Sequence, residues 1–256
     1  MNQHGQAITL DPREVELLTR VRDNVRSRIA EAAVRAGHDP EAVEVVAVTK
    51  TVPPGQIAGA IAAGFTLLGE NRVQERQAKA AELDALADPE AGAGGRPQWH
   101  LVGPLQSNKA RRAIELFDVI ETVDSLELAQ RLSRLASEIR PRRQLSVLLQ
   151  VNVDGDAAKA GFDPAALERE LAAIVELPSI VVEGLMTVGR LAETPEAARP
   201  TFVALRALSE RLRGRHPSLG PALSMGMTDD YEIAVEEGAT LVRIGRAIFG
   251  SRPTVR

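Results

Sequence analysis

The apolar positions of this chain change their spacing near residue 43. Before that point Val15, Leu18, Val21, Val25, Ile29 and Ala32 recur every three or four residues, the period of a helix with one covered face. Asp11 supplies an N-cap carboxylate, Pro12 stands at the first helical position, Glu14 follows three residues after the cap, and Gly37 supplies the stop. The pattern predicts a long first helix lying against a larger body.

From Val43 the texture becomes short, nearly continuous apolar runs that end in polar or glycine residues, as in a parallel sheet covered on its outer face. Eight runs follow one another: VEVVAVTK ending at Lys50, TLLGE at Glu70, WHLVG at Gly103, VIETV at Val123, SVLLQVNV at Val153, IVVEGLMTV at Val188, LSMG at Gly226 and LVRIG at Gly245. Helical patterns separate them, near 54–64, 71–87, 107–117, 125–139, 163–176, 195–213 and 229–237. Strand and helix repeated seven times, then an eighth strand and a short tail, predict an α/β fold of the (β/α)8 TIM-barrel type. The competing arrangement is an open doubly wound sheet, but the GxGxxG loop of dinucleotide folds is absent after the first run. No linker divides the chain, so residues 1–256 are expected to form one domain, with residues 1–10 a flexible start and 88–98 a mobile loop.

Composition narrows the functional classes. Aromatic residues make up 3% of the chain against 44% hydrophobic, so Val, Leu, Ile and Ala must fill the core. A net charge of -4 gives no general cationic field, and the basic stretch Arg131–Arg143 reads as the solvated side of one helix; neither nucleic acid nor a membrane is an expected partner. Cysteine is absent, which excludes disulfides and thiolate metal ligands, and no signal peptide or long apolar run is present. A cytoplasmic protein is expected.

In such a barrel the working groups stand at the carboxyl ends of the strands. Those positions read Lys50, Glu70 and Asn71, His100 within the third run, Met186 and Thr187, Ser224–Thr228, and Arg243 with Gly245 and Arg246. Lys50 closes an apolar strand, where partial desolvation would favour the neutral amine, a nucleophile toward aldehydes. The competing reading is a lysine that snorkels to solvent. Ser224, Met225, Gly226, Met227 and Thr228 form a small-residue turn into a helix, a place for a phosphate dianion, although such residues are also routine in turns and caps. Gly245 would let backbone amides approach the same anion. Arg243 shares the side of its strand with Gly245 and is expected in the interior, against a pyridine nitrogen or in a salt bridge to Glu70 or another carboxylate.

VAVTK, GENRVQE, WHLVGPLQSNK, KAGF, GLMTV, SMGMTDDYEIAV and VRIGRAIFG, in this order between Val43 and Gly250, resemble the pyridoxal phosphate homeostasis proteins. The resemblance implies the barrel half of a fold-type III alanine racemase, with an extra N-terminal helix and no C-terminal β domain. It implies pyridoxal 5'-phosphate held as a Schiff base on Lys50, with Arg243 facing the pyridine nitrogen. Ser224, Gly226, Met227, Thr228, Gly245 and Arg246 would hold the phosphate largely through backbone amides, and Asn71, His100 and Met186 would line the ring pocket. Two positions depart from the pattern: Asp156, where glutamate is common, and Arg246, where a small hydroxyl residue is frequent.

The reading that follows is a cofactor carrier that buffers pyridoxal phosphate, delivers it to apo-enzymes and affects amino-acid and keto-acid pools, as a monomer without established turnover. A racemase would need a second acid or base opposite Lys50. The one tyrosine, Tyr231, follows SMGMT too closely for that role. An aldolase-like barrel using Lys50 without cofactor is a third reading, and a purely structural interaction protein a fourth.

Overall fold

The computed structural model describes residues 10–84, 96–189 and 193–250. The expected flexible start and most of the expected mobile loop at 88–98 lie outside these residues. The elements run α1 (Pro12–Ala36), β1 (Glu44–Val48), α2 (Pro54–Ala62), β2 (Leu67–Glu70), α3 (Val73–Asp84), β3 (Gln98–Leu101), α4 (Ala110–Leu116), β4 (Val119–Val123) and α5 (Leu126–Ile139). They continue through β5 (Leu145–Gln150), α6 (Pro164–Val175), β6 (Ile180–Met186), α7 (Arg199–Arg213), β7 (Ala222–Met227), α8 (Tyr231–Glu236), β8 (Leu241–Ile244) and α9 (Arg246–Phe249). The eight strands form a closed parallel barrel in chain order, β1 pairing with both β2 and β8. The eighth strand is followed by α9 before the tail, a helical turn too short for the apolar pattern to reveal.

Alternation along the strands builds two cores. Val45 and Ala47 face the helices and belong to the main core, whereas Val46 turns inward and packs with Leu67, Leu148, Met186 and Leu241. The inward apolar cluster is small because His100, Glu121, Ser224 and Arg243 are also buried on inward-facing positions. Register shifts interrupt the ladders between Ile120 and Val123, between Val147 and Leu148, and between Ser224 and Met227. Such bulges re-aim side chains at barrel rims. One holds Glu121 and another holds Gly226.

Helix α1 forms as its pattern predicts: Asp11 accepts from the Arg13 amide at one end and Gly37 closes the other with φ 72°. Leu18, Val25, Ile29, Ala32 and Ala33 are its buried face. Its polar face is anchored too. Arg22 donates to the Ala63 carbonyl at the end of α2, Arg26 to Val43, and Arg28 and Arg35 pair with Glu232 and Glu236 of α8. The basic stretch at 131–143 lies along α5 and its exit, where Arg140 donates to the Ile114 and Phe117 carbonyls at the end of α4. Among the described residues no helix is long and apolar enough to cross a membrane.

Candidate functional site

The interior of the barrel carries a continuous polar chain. Arg243 donates from Nη1 to Ser224 Oγ at 2.6 Å and from Nη2 to the Thr187 carbonyl at 2.7 Å. Ser224 Oγ passes its own hydrogen to Glu121 Oε2 at 2.6 Å, and Glu121 Oε1 lies 2.7 Å from His100 Nδ1. An ionised carboxylate only accepts, so Nδ1 carries the hydrogen of that last bond. Arg243 is therefore buried with neutral groups as its direct partners, and its counter-charge sits one hydroxyl away. Burial alone would raise the Glu121 carboxyl, but the hydrogen bond from His100, the charge of Arg243 and the Ser224 hydroxyl outweigh it and hold it below the usual range.

Glu70 takes no part in this chain, so a salt bridge from Arg243 to Glu70 is excluded. Glu70 faces outward, accepts from Lys79 Nζ at 2.7 Å and from Thr49 Oγ1 at 2.7 Å, and is completely buried. Burial raises its carboxyl above the usual range despite the Lys79 partner.

That outward pair builds the turn that carries Lys50. The Thr49 carbonyl accepts from the Val52 amide at 3.0 Å and from Lys79 Nζ at 2.9 Å, which closes a tight turn with Lys50 and Thr51 at its centre. Thr51 has φ 61°, the one positive φ of a non-glycine residue among the described positions, and its amide donates to Glu75 Oε2. A left-handed β-branched residue is costly and persists where its surroundings over-determine it. Here the Lys79 and Glu75 contacts from α3 hold it, and Lys50, half-buried, stands two residues beyond the end of β1 at the carboxyl mouth.

The β7 and β8 ends form the second part of the mouth. Gly226 has φ 88°, and a Cβ there would lie 2.5 Å from the Ala234 side chain, so this turn can approach α8 only with glycine. The Met227 amide donates to Asp230 Oδ1 and the Asp230 amide returns to the Met227 carbonyl, a reciprocal cap that fixes the loop. Burial raises the Asp230 carboxyl above its ordinary value. Thr228 and Gly245 are half-buried, while Met227 and Arg246 are exposed. Arg246 pairs with Asp229, joining the loop after β8 to the loop after β7.

Other expected residues are placed differently. Ser224 lies within β7 with its hydroxyl committed to the interior chain, below the turn that follows. Met186 is fully buried in the inward apolar cluster. Asn71 stands at the mouth, where its carbonyl is pressed against Gly103: a Cβ on that glycine would fall 2.3 Å from it. His100 is tied through Glu121 to the interior chain and also lines a cavity at the amino ends of the strands. Lys109 borders a cavity of about 830 Å³ beside the mouth, together with Asn71 and Glu75. Lys159 of the KAGF loop is held by the Val188 and Gly189 carbonyls. Glu121, Thr51 and Lys79 are the additions that sequence reasoning missed. A lone carboxylate inside the apolar run VIETV was the available signal for the first.

The family model of the alanine racemase N-terminal domain matches residues 21–253. The pyridoxal phosphate homeostasis protein of Pseudomonas aeruginosa is 43% identical over 229 residues, covering 89% of this chain and 93% of that one. Its Escherichia coli counterpart is 41% identical over 233 residues, covering 89% and 94%. PipY of Synechococcus elongatus, solved with PLP bound, superposes with a TM-score of 0.75 at 42% identity, covering 87% of this chain and all of that one. An alanine racemase of Clostridium difficile, at 16% identity and a TM-score of 0.66, shares the fold and extends well beyond it, this chain covering 57% of its length. The chain thus belongs to the pyridoxal phosphate homeostasis protein family, within the alanine racemase N-terminal domain class of barrels.

Proposed function

We propose that this chain binds pyridoxal 5'-phosphate with Lys50 as its Schiff-base residue and serves the intracellular homeostasis of that cofactor in the cytoplasm. The observation that carries the reading is the buried Arg243, a permanent cation whose direct partners are the neutral Ser224 hydroxyl and Thr187 carbonyl. A guanidinium kept in that state suits an unprotonated pyridine nitrogen, which it leaves as a weak electron sink. The remaining donors suit the rest of the molecule. Lys50 offers an amine at the mouth, and the glycine-dependent turn offers the Gly226 and Thr228 amides, with that of Gly245, to a phosphate, the Met227 amide being taken by Asp230.

When bound, the cofactor would supply an aldehyde that the Lys50 amine takes up. The chain's own residues account for the rest: the Thr49–Val52 turn orients Lys50, the Ser224–Glu121 link neutralises Arg243 without protonating anything beside it, and the Arg246–Asp229 pair spans the two phosphate-side loops. Holding rather than turnover is favoured because the sole tyrosine is turned away from the mouth. Tyr231 lines a cavity with Arg20, Asn24 and Arg28 of α1. The relatives named for homeostasis, and PipY with its bound PLP, support the same assignment.

Lys50→Ala tests it. The variant removes a strand-end side chain and no core methylene, so it should fold as the parent does, yet fail to give the borohydride-trapped adduct with added pyridoxal phosphate. An adduct retained in full, at Lys109 or Lys159, would overturn the assignment. A parent protein that never acquires the absorbance of a lysine imine would favour the aldolase-like reading.

A further inference from the structure

The mouth opposite Lys50 holds a second polar cavity, of about 390 Å³, at the amino ends of the strands. Six of its lining residues bring hydrogen-bonding side chains: Glu44, Gln98, His100, Ser146, Glu183 and Thr240. Val119, Leu148 and Leu241 add an apolar wall. In most barrels this face contributes stability rather than chemistry. Here it contains an anomaly. The His100 ring is 3% exposed, its Nδ1 is committed to Glu121, and its Nε2 has no hydrogen-bond partner among the described residues. A buried polar atom left unsatisfied costs free energy, and native structures keep few of them.

The two carboxylates sharpen the chemistry. Among the described residues Glu183 accepts only from the neutral Ser146 hydroxyl, and Glu44 pairs with no cation. Among the described residues no lysine or arginine lines the cavity. With Nδ1–H donating to Glu121, Nε2 presents a lone pair whenever the ring carries that one hydrogen alone. The cavity therefore offers acceptors on several sides and an apolar wall, with no built-in positive charge. No group of three or more metal-ligating residues occurs among the described residues, so a tightly ligated metal ion does not fit.

We propose that this amino-end cavity is a binding site for small primary ammonium compounds. The ammonium hydrogens would bond His100 Nε2 and the Glu183 carboxylate, with Glu44 adding negative charge at the exposed rim, and a short hydrocarbon chain would lie against Leu148 and Leu241. The proposal stands whether or not Lys50 carries a cofactor.

The test uses the full chain, 15N-labelled and treated with borohydride so that no carbonyl remains to react with an amine. The His100 Nε2 resonance is followed at pH 8 while n-propylammonium chloride is added, with n-propanol and potassium chloride as controls at matched ionic strength. A saturable shift with the ammonium alone is expected. Glu183→Gln keeps an acceptor for Ser146 but loses the charge, and should weaken that binding about tenfold. The same shift from n-propanol, an equal response to potassium, no saturation with the ammonium, or unchanged affinity in Glu183→Gln would each overturn it.

Discussion

Glu121 is the residue on which the interior depends. It accepts from His100 and Ser224 and is the negative charge nearest Arg243 in the buried chain. Its folded carboxyl lies below its unfolded value, so its contribution to stability is present above the unfolded value, about 4.3, and is lost as pH falls through the folded one. Glu70 has the opposite sign: its folded value is raised, so its contribution is present at low pH and lost as pH rises through that value. Glu121→Gln keeps the shape but removes the stronger of the two negative charges acting on Arg243, leaving Asp230, which should cost about 3 kcal/mol at neutral pH. Urea unfolding across pH should show this deficit shrinking in acid; a constant deficit would mean that Glu121 is not ionised in the folded chain. Glu121 was hard to read from sequence because one carboxylate in VIETV looks like a solvent-side residue of an alternating strand. Only the register shift between Ile120 and Val123 decides its side.

At the scale of elements, the mouth is shaped from behind. Helix α3 reaches over β2 to hold the Lys50 turn, through Lys79 on the Thr49 carbonyl and Glu75 on the Thr51 amide. Lys79→Met would strand the buried Glu70 and free the turn. The expected result is a loss of about 3–5 kcal/mol, growing as pH rises because Glu70 then ionises with the Thr49 hydroxyl but no cation beside it, together with slower imine formation at Lys50. Stability by urea titration and the rate of cofactor uptake would check both. The Arg246–Asp229 pair is exposed on both sides, so it adds little to stability. Arg246→Ser should leave the unfolding midpoint nearly unchanged while speeding release of pyridoxal phosphate, most clearly at low salt; equal release rates would show that Arg246 does not act on the phosphate side. Strand and helix order was legible because each strand buries both faces and each helix one. The α3 clamp was not, since Lys79 and Glu75 look like ordinary solvated helix residues until the turn at Thr51 is placed beside them.

For the molecule as a whole, α1 completes the outer layer where α8 is only six residues long. Its apolar stripe meets α2 and α8, and its arginines cap or pair with both. Ile29 is almost wholly buried there, so Ile29→Ala should lower stability by about 2–5 kcal/mol in urea without touching Lys50. Added pyridoxal phosphate should restore part of that loss by mass action if the folded barrel binds it. The barrel, the first helix and the position of Lys50 could all be read from hydrophobic period and strand ends. The two-ended character of the interior could not, because a residue such as His100 belongs to one mouth or the other by a difference of one layer. The central claim, that Lys50 carries the cofactor, is most directly tested by reducing the pyridoxal phosphate-loaded protein with borohydride and mapping the labelled peptide. The account predicts visible absorbance lost on reduction and a single pyridoxyl label on Lys50; a protein that stays colourless with added cofactor, or a label on another lysine, would contradict it.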